Sequence, residues 1–296
     1  MTTFIRKLVY GFIGLLGGLA AWPVAEVLLQ VQSSFPSFLV FTVSVGAVFG
    51  AIMGAFLGSS EGIMLSIKPR IVPGIVTGAA VGVVGGIVGF LIGQGVLLFI
   101  SEIVFHSNRS LRSIGIPISR VVSWSFLGMF IGMVEGVRAL SWAKIKVGLL
   151  GGIIGGVLGS ILLEFLRTWY PDFIFARLAG LMVFGMLIGA FYGLFEKRMS
   201  QGILRLLNGK LKGKEYLLVQ RKIKIGSSAK MDIQLSGYRD IAENHALLMR
   251  KRDEVTIKCS DVKSRVLVNE MKIDEHVLRF EDVVQIGSAK FLFYYK

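Results

Sequence analysis

The chain has 296 residues, of which 53% are apolar and 37 are glycine, and its mean hydropathy is +0.68. These values exclude an ordinary soluble domain and indicate membrane-embedded segments. Residues 1–196 carry 12 Lys/Arg against 7 Asp/Glu, whereas residues 197–296 carry 21 against 12, so the net charge of +14 is concentrated in the last third. A single cysteine, Cys259, excludes an internal disulfide, and three histidines without ligand spacing argue against a metal or redox centre.

Six apolar windows precede the last third of the chain. Each is long enough to cross a bilayer as a helix, which takes about 20 predominantly apolar residues. They predict a polytopic, all-α membrane domain of six helices over approximately 8–30, 38–58, 71–100, 121–140, 147–166 and 174–195.

Basic residues mark one side of this predicted bundle. Because cytoplasmic loops are enriched in Lys and Arg, the pattern predicts that both termini are cytoplasmic, and the short loops fit a bacterial inner membrane. The first loop on the opposite side, Val31 to Ser37, has no charge. The residues that set this orientation are Arg6, Lys7, Lys68, Arg70, Arg138, Lys144, Lys146, Lys197 and Arg198.

Two segments leave the topology open. Residues 101–120 contain three arginines that this orientation places outside, so the segment is either an interfacial amphipathic stretch or a local error in the topology. The first window has a basic start and small residues at Ala20 and Ala21, which are also features of a cleaved signal peptide. Its removal would leave five spans and the same location for the C-terminal part.

The membrane region contains an internal repeat. A set of two glycines and a glutamate recurs after 74 residues, and a third copy of it follows later in the chain. The pattern predicts three helical hairpins over 7–61, 68–135 and 144–196. Glycines four apart form a zipper that lets helix backbones approach closely, either within one chain or between the copies of a homo-oligomer. The matched sets are Gly54, Gly58 and Glu61, then Gly128, Gly132 and Glu135, then Gly189, Gly193 and Glu196.

The repeated glutamates Glu61, Glu135 and Glu196 are the polar feature of interest in the membrane region. Each lies on the glycine face near the C-terminal end of its helix, where the helix dipole disfavours an anion, so a nearby cation is expected. The candidates are Lys68, Lys144 and either Lys197 or Arg198. The alternative is a ring of carboxylates at the mouth of a cation pathway.

The last third has the pattern of a β domain. Short β-rich runs at 215–225, 255–259, 265–268 and 291–295 are separated by polar turns, which predicts an all-β sandwich of about 90 residues. The predicted organisation is a membrane domain over 1–196, a linker over 197–207 and a sandwich over 208–296.

Four ordered sequence blocks resemble the forkhead-associated (FHA) family. They are IGSSAKMDIQL from Ile225, IAENHALL from Ile241, VLVNEMKI from Val266 and LRFEDVVQIG from Leu278. They are similar to the family's I-G-R…D-I-x-L, V-S-R-x-H-A, T-x-V-N-G-x-x-I and L-x-x-G-D-x-I-x-I-G segments. The resemblance covers about a third of the chain.

This resemblance implies a β-sandwich whose loops at one end bind phosphothreonine peptides. The family places an Arg, a Ser and an Asn where this chain has Ser227, Ala242 and Ser264. Gly226, His245 and Gly287 match the family's scaffold positions. Binding is therefore either independent of phosphate or uses substitute groups, and the candidate peptide-binding loop residues are Ser227, Ser228, Arg239, Ala242, Ser264, Arg265 and Asn269.

The function that these features favour is a membrane-anchored scaffold that presents a protein-docking domain. The motifs of phosphate-binding loops, hydrolase elbows and zinc proteases do not occur, so we expect neither an enzyme nor a cofactor. The basic C-terminal part fits a membrane-lipid surface better than nucleic acid, because its aromatic residues cluster in predicted strands. The alternatives are a channel or transporter regulated through this domain, and an assembly element of a secretion or envelope machine.

Overall fold

A computed structural model describes residues 3–65, 68–103, 114–170, 174–209, 211–251, 254–260 and 265–295. The chain divides into two compact units, one formed by residues 6–195 and the other by residues 196–296 together with residues 1–5. The first is helical and the second is mainly a β-sandwich.

Six long helices form the first unit, which confirms the predicted number. All six are long and apolar enough to cross a membrane. Their bounds are α1 Thr3–Gln30, α2 Phe38–Leu65, α3 Lys68–Ile103, α4 Ile116–Arg138, α5 Trp142–Trp169 and α6 Ile174–Met199, with a short 3₁₀ helix at Gln32–Ser34.

Neighbouring helices run antiparallel and approach closely at glycines. A side chain added to Gly50 in α2 would collide with the carbonyl oxygen of Gly82 in α3, and the same holds for Gly132 in α4 and Gly148 in α5. Helices α1 and α6 meet where Gly14 faces Gly185, which closes the set of helices into a ring. Such approaches are available only to glycine, which has no Cβ atom.

The middle of the bundle is filled with apolar side chains. Trp124 of α4 makes edge-to-face contacts with Phe49, Phe90 and Phe184, at ring-centroid distances of 5.2, 5.4 and 5.2 Å. Aromatic pairs favour this geometry because the positive ring edge meets the negative ring face. The cluster joins α2, α3, α4 and α6 and belongs to a buried core to which all six helices contribute.

The second unit contains an all-β sandwich, as predicted. One sheet has the strand order β2-β1-β11-β10-β7-β8 and the other β4-β3-β5-β6-β9. The strands are β1 Gly202–Leu206, β2 Glu215–Leu217, β3 Lys222–Gly226, β4 Ile233–Gln234, β5 Ala246–Lys251, β6 Glu254–Cys259, β7 Val266–Val268, β8 Met271–Ile273, β9 Glu275–Val277, β10 Val283–Ile286 and β11 Ala289–Tyr295.

The structure corrects two predicted boundaries. The segment 197–207 is not all linker, because α6 continues to Met199 and β1 begins at Gly202, where it pairs antiparallel with β11. The single run predicted over 215–225 is two strands in different sheets. Between them Leu218 and Val219 are buried and carry the chain from one sheet to the other.

The strand pairing defines two ends of the sandwich. Gly202 at the start of β1 pairs with Tyr295, whereas Leu206 at its end pairs with Phe291. The registers of the other strand pairs place the last residues of β3, β4, β6 and β10 at the end of the sandwich away from Gly202. We call this the loop end.

Candidate functional site: the loop end of the sandwich

The loop end contains a cavity of about 570 Å³. Val266 in β7 pairs antiparallel with Ile286 in β10. Arg265, just before Val266, therefore lies beside Gly287, just after Ile286. The loop between β4 and β5 supplies a further wall. The cavity is lined by Asp240, Ile241, Ala242, His245, Arg265, Leu267, Gln285 and Gly287.

His245 fixes two of these loops to each other. Its side chain is only 2% exposed, its Nδ1 atom accepts from the Ala242 amide at 3.1 Å, and its Nε2 atom lies 3.1 Å from the Arg265 carbonyl oxygen. An accepting Nδ1 leaves Nε2 as the N–H donor, so the hydrogen bonds select one tautomer of the neutral ring. The predicted scaffold position therefore also determines where the Arg265 backbone lies.

Two glycines allow close approach of the loop backbones. A Cβ atom at Gly226 would collide with the Glu243 carbonyl oxygen, so β3 and the loop after β4 can lie side by side only with glycine there. Gly287 has a φ of +55°, and a Cβ atom there would lie 2.5 Å from the Arg239 carbonyl oxygen. Both positions thus require glycine for the shape of the cavity wall.

Of the candidate peptide-binding residues, Ala242 and Arg265 line the cavity. Ser227, Ser228 and Arg239 lie in the neighbouring loops but are not among its lining residues in the described part of the chain. The Ser227 amide donates to the Ala242 carbonyl at 3.0 Å, and the Arg239 amide donates to Ser288 Oγ at 2.8 Å. Ser228 Oγ accepts from the Lys230 amide at 3.4 Å and so serves its own turn. Ser264 lies outside the described residues.

Asn269 does not belong to this site, which corrects its place among the candidate loop residues. It follows β7 at the end away from Arg265, has a φ of +49°, and donates from Nδ2 to Asp282 Oδ1 at 2.7 Å. Its Oδ1 atom accepts from the Val283 amide at 2.9 Å. Asn269 therefore holds a turn together at the opposite end of the sandwich.

Two polar lining residues, Asp240 and Gln285, were missed by the sequence reasoning. Asp240 has a φ of +59°, and Asp is among the few side chains that tolerate this left-handed conformation. That preference, just before the IAENHALL block, was the available signal. Gln285 lies within a matched block, but the alternation of β10 alone does not indicate which end of the sandwich a polar strand residue faces.

Among the described residues that line the cavity, the charges are balanced. Arg265 contributes a cation and Asp240 a carboxylate, and the other lining side chains are apolar or uncharged in the tautomer described above. Beside the cavity, Tyr238 donates its hydroxyl to the Asn208 carbonyl at 2.8 Å, and desolvation raises the pKa of this phenol. Asn208 in turn bonds the Ser288 carbonyl at 2.7 Å, which supports the turn that carries Gly287.

Two of the repeated membrane glutamates, Glu61 and Glu135, take part in a separate charge cluster. Glu61 pairs with Arg138 through one oxygen and with Lys144 through the other, the latter at 3.0 Å. Arg138 also contacts Glu135 at 2.9 Å. Glu196 is buried at 3% exposure, whereas the side chain of Lys68 lies outside the described residues. The sequence reasoning named Lys144 as a partner but missed Arg138, although it lies one helical turn after Glu135.

Residues 205–296 match the family described as inner membrane component of T3SS, cytoplasmic domain, where T3SS denotes the type III secretion system. The sandwich and the four ordered blocks agree with the FHA resemblance. The C-terminal domain has the forkhead-associated fold. Comparison with curated proteins gives no match.

Solved structures, among them FHA domains, are similar to this part of the chain. The FHA domain of the CT664 protein from Chlamydia trachomatis is 29% identical, with a TM-score of 0.30, and the match covers 33% of this chain and 99% of that one. The Slr1951 protein from Synechocystis sp. is 24% identical, with coverages of 33% and 97% and a TM-score of 0.29. The N-terminal FHA domain of S. cerevisiae Rad53p, solved with a phosphothreonine peptide, is 9% identical, with coverages of 32% and 94% and a TM-score of 0.30.

Proposed function

We propose that this protein is an integral component of a bacterial inner membrane whose FHA domain docks a protein partner in the cytoplasm without requiring phosphothreonine. The observation that carries this proposal is the composition of the loop-end cavity. His245, Gly226 and Gly287 shape its walls, and the charged side chains among its described lining residues are one cation, Arg265, and one anion, Asp240.

A phosphothreonine site needs a different charge balance. A phosphate group carries about −1.5 to −2 charges at pH 7 and is bound by several charge-assisted donors. Here Ala242 stands at the family's Ser position and offers no hydroxyl, and the Asp240 carboxylate would repel the phosphate. An unphosphorylated segment that presents both hydrogen-bond donors and acceptors is the better match.

The membrane half is proposed to anchor the FHA domain instead of conducting ions. In the described helices the middle of the bundle is occupied by Leu127, Ile131, Phe184 and Ile188, each at most 1% exposed. An ion path through such a core would leave ions without polar ligands. The carboxylate ring considered from the sequence is less well supported, because Glu61 and Glu135 are both engaged by Arg138.

The glycine contacts support a repeated architecture. Gly54 and Gly58 face Gly78 and Gly74 across α2 and α3, and the positions 74 residues later face each other across α4 and α5 in the same register. We therefore infer three repeated hairpins joined by glycine zippers. Since these glycine faces are filled within one chain, a homo-oligomer would use other surfaces.

The place of action is inferred from the family match and the charge distribution. The matching family is described by a cytoplasmic domain of a secretion-system membrane component, which favours a cytoplasmic FHA domain and a partner within a larger envelope assembly. Lys and Arg near an anionic leaflet each contribute about 1 kcal/mol of attraction, so the basic C-terminal part also favours contact with membrane lipids.

The test is crosslinking and co-purification of the full-length protein from native membranes, with and without phosphatase treatment. We expect a partner that survives phosphatase, is lost in Arg265→Glu and is retained in Arg205→Glu, which makes the same charge change on an exposed side chain of β1. A partner released by phosphatase would overturn phosphate independence. A partner that is unaffected by Arg265→Glu would overturn the assignment of the cavity as the docking site.

A further inference from the structure

A second cavity lies inside the helical bundle, at the end opposite the Glu61 cluster. It has a volume of about 320 Å³, and all six helices contribute to its lining. This end is formed by the C-terminal ends of α1, α3 and α5 and the N-terminal ends of α2, α4 and α6. A cavity that every helix lines is a feature of the bundle axis and not a groove between two neighbours.

Three arginines line this cavity, and two of them are paired. Arg120 contacts Glu164 at 3.0 Å, and Arg177 contacts Glu26 at 3.1 Å. Arg167 also lines the cavity, is exposed, and has no carboxylate within salt-bridge distance among the described residues. Among the described residues, the group therefore has three guanidinium groups and two paired carboxylates, a net charge of +1.

Another part of the cavity lining is aromatic instead of cationic. Trp124, Phe49 and Phe90, which belong to the aromatic cluster of the core, line it as well. The polar side chains Gln94 and Ser123 are also part of the lining. The site thus combines a cationic region with an aromatic one, and its volume is within the range of small-molecule sites in proteins.

We propose that this cavity binds an amphipathic organic anion, with a phosphate monoester or carboxylate head at Arg167 and an apolar chain against the aromatic floor. The Arg167 guanidinium, which has no salt-bridge partner in the part of the chain that the structure describes, favours one anionic oxygen group. A planar fork of N–H donors binds phosphate and carboxylate with two parallel hydrogen bonds. The aromatic floor favours an attached alkyl or isoprenoid chain over a free inorganic ion. This site is independent of the docking function of the FHA domain.

The probe is dodecyl phosphate, titrated against the full-length protein in phosphatidylcholine nanodiscs, with empty nanodiscs as the blank. We expect saturable binding that weakens at least tenfold in Arg167→Gln and persists in Arg167→Lys, which keeps the charge. Because Arg167 has no acidic partner among the described residues, its removal leaves no unpaired carboxylate and the bundle should remain folded. The matched control is Lys146→Gln, which removes an exposed cation near the other end of the same helix and should leave binding unchanged.

Two competitors distinguish the sources of affinity. Inorganic phosphate in excess should displace little dodecyl phosphate. If inorganic phosphate displaces the probe at an equal concentration, the cavity is a simple anion site and the proposal is overturned. Dodecyltrimethylammonium should also compete poorly, and equal competition would mean that the cavity selects only apolar chains. Absence of saturable binding above empty nanodiscs, or equal binding by Arg167→Gln, would likewise overturn it.

Discussion

Lys144 Nζ lies 3.0 Å from Glu61 Oε1 and so ties the first turn of α5 to the last turns of α2. Arg138 at the end of α4 binds the other oxygen of the same carboxylate. Lys144 is 9% exposed, and the side chains of Glu61 and Arg138 are each 14% exposed. A single shielded carboxylate thus joins α2, α4 and α5 at one end of the bundle.

Replacing Arg138 with Leu should destabilise the bundle strongly. The substitution leaves Glu61 and Glu135 near each other without their shared cation, and loss of one partner from a buried ion pair costs about 3–5 kcal/mol. We expect the thermal unfolding midpoint of the full-length protein in a neutral detergent to fall markedly. Lys146→Leu, an exposed control of similar chemistry, should change stability by only about 0.5 kcal/mol. Equal midpoints for the two variants would show that the cluster is not structurally important.

Two glycine-to-alanine substitutions should distinguish the contribution of helix packing to stability from the intrinsic helix propensity of the residue. Gly50→Ala places a methyl group against the Gly82 carbonyl and should cost about 1–3 kcal/mol, since a close-packed backbone interface cannot absorb it without separating α2 from α3. Gly95→Ala in α3 is the matched control because nothing lies within 4 Å of the added Cβ atom. It should be neutral or slightly stabilising, as Ala favours helix more than Gly does. Resistance to thermal aggregation in detergent measures both, and equal loss in both variants would contradict this interpretation.

The membrane helices were predictable because a bilayer imposes a length and an apolar composition on every span. The sequence did not predict which of these helices pack against each other. The glycine spacing indicated close approach, but only the structure pairs Gly14 with Gly185 and so closes α1 onto α6. The glycine spacing in the sequence shows which face of a helix packs closely. Which helix packs against that face depends on the arrangement of all six helices in the bundle.

The FHA fold was predictable from ordered blocks, but the contents of its site were only partly so. His245 and Arg265 were identified, while Asp240 was missed because it lies between two blocks. Asn269 was placed wrongly because a turn residue and a loop-end residue look alike until the strand register fixes which end each occupies. The strand β1 was missed because it follows α6 after two residues and is apolar like the helix before it.

Glu270→Gly should stabilise the sandwich. Asn269 and Glu270 form a two-residue loop between β7 and β8 with φ values of +49° and +69°, and such a loop prefers Asn-Gly. Relief of the left-handed Glu should contribute about 1 kcal/mol. The readout is the rate at which a thiol reagent labels Cys259, the only cysteine, in increasing urea. Glu254→Gly, within strand β6, is the control and should label faster than the wild type, and a faster rate for Glu270→Gly would contradict the prediction.

Tyr216 should make the sandwich sensitive to alkaline pH. Its side chain is buried against Phe291, and burial raises the pKa of this phenol above its ordinary value of 10. The folded protein therefore keeps a proton that the unfolded chain releases, so the stabilising contribution is fully present below pH 10 and is lost as pH rises above it.

The expected loss is about 1.4 kcal/mol per pH unit for one such group. Between about pH 10 and 11.5 the free energy of unfolding of Tyr216→Phe should fall less steeply with pH than that of the wild type, by the contribution of one proton. Near pH 8 the free energies of unfolding of the two proteins should change with pH at nearly the same rate. The measurement is far-ultraviolet circular dichroism of the β signal along urea titrations at each pH. Parallel stability curves for the two proteins above pH 10 would show that the Tyr216 phenol ionises without unfolding.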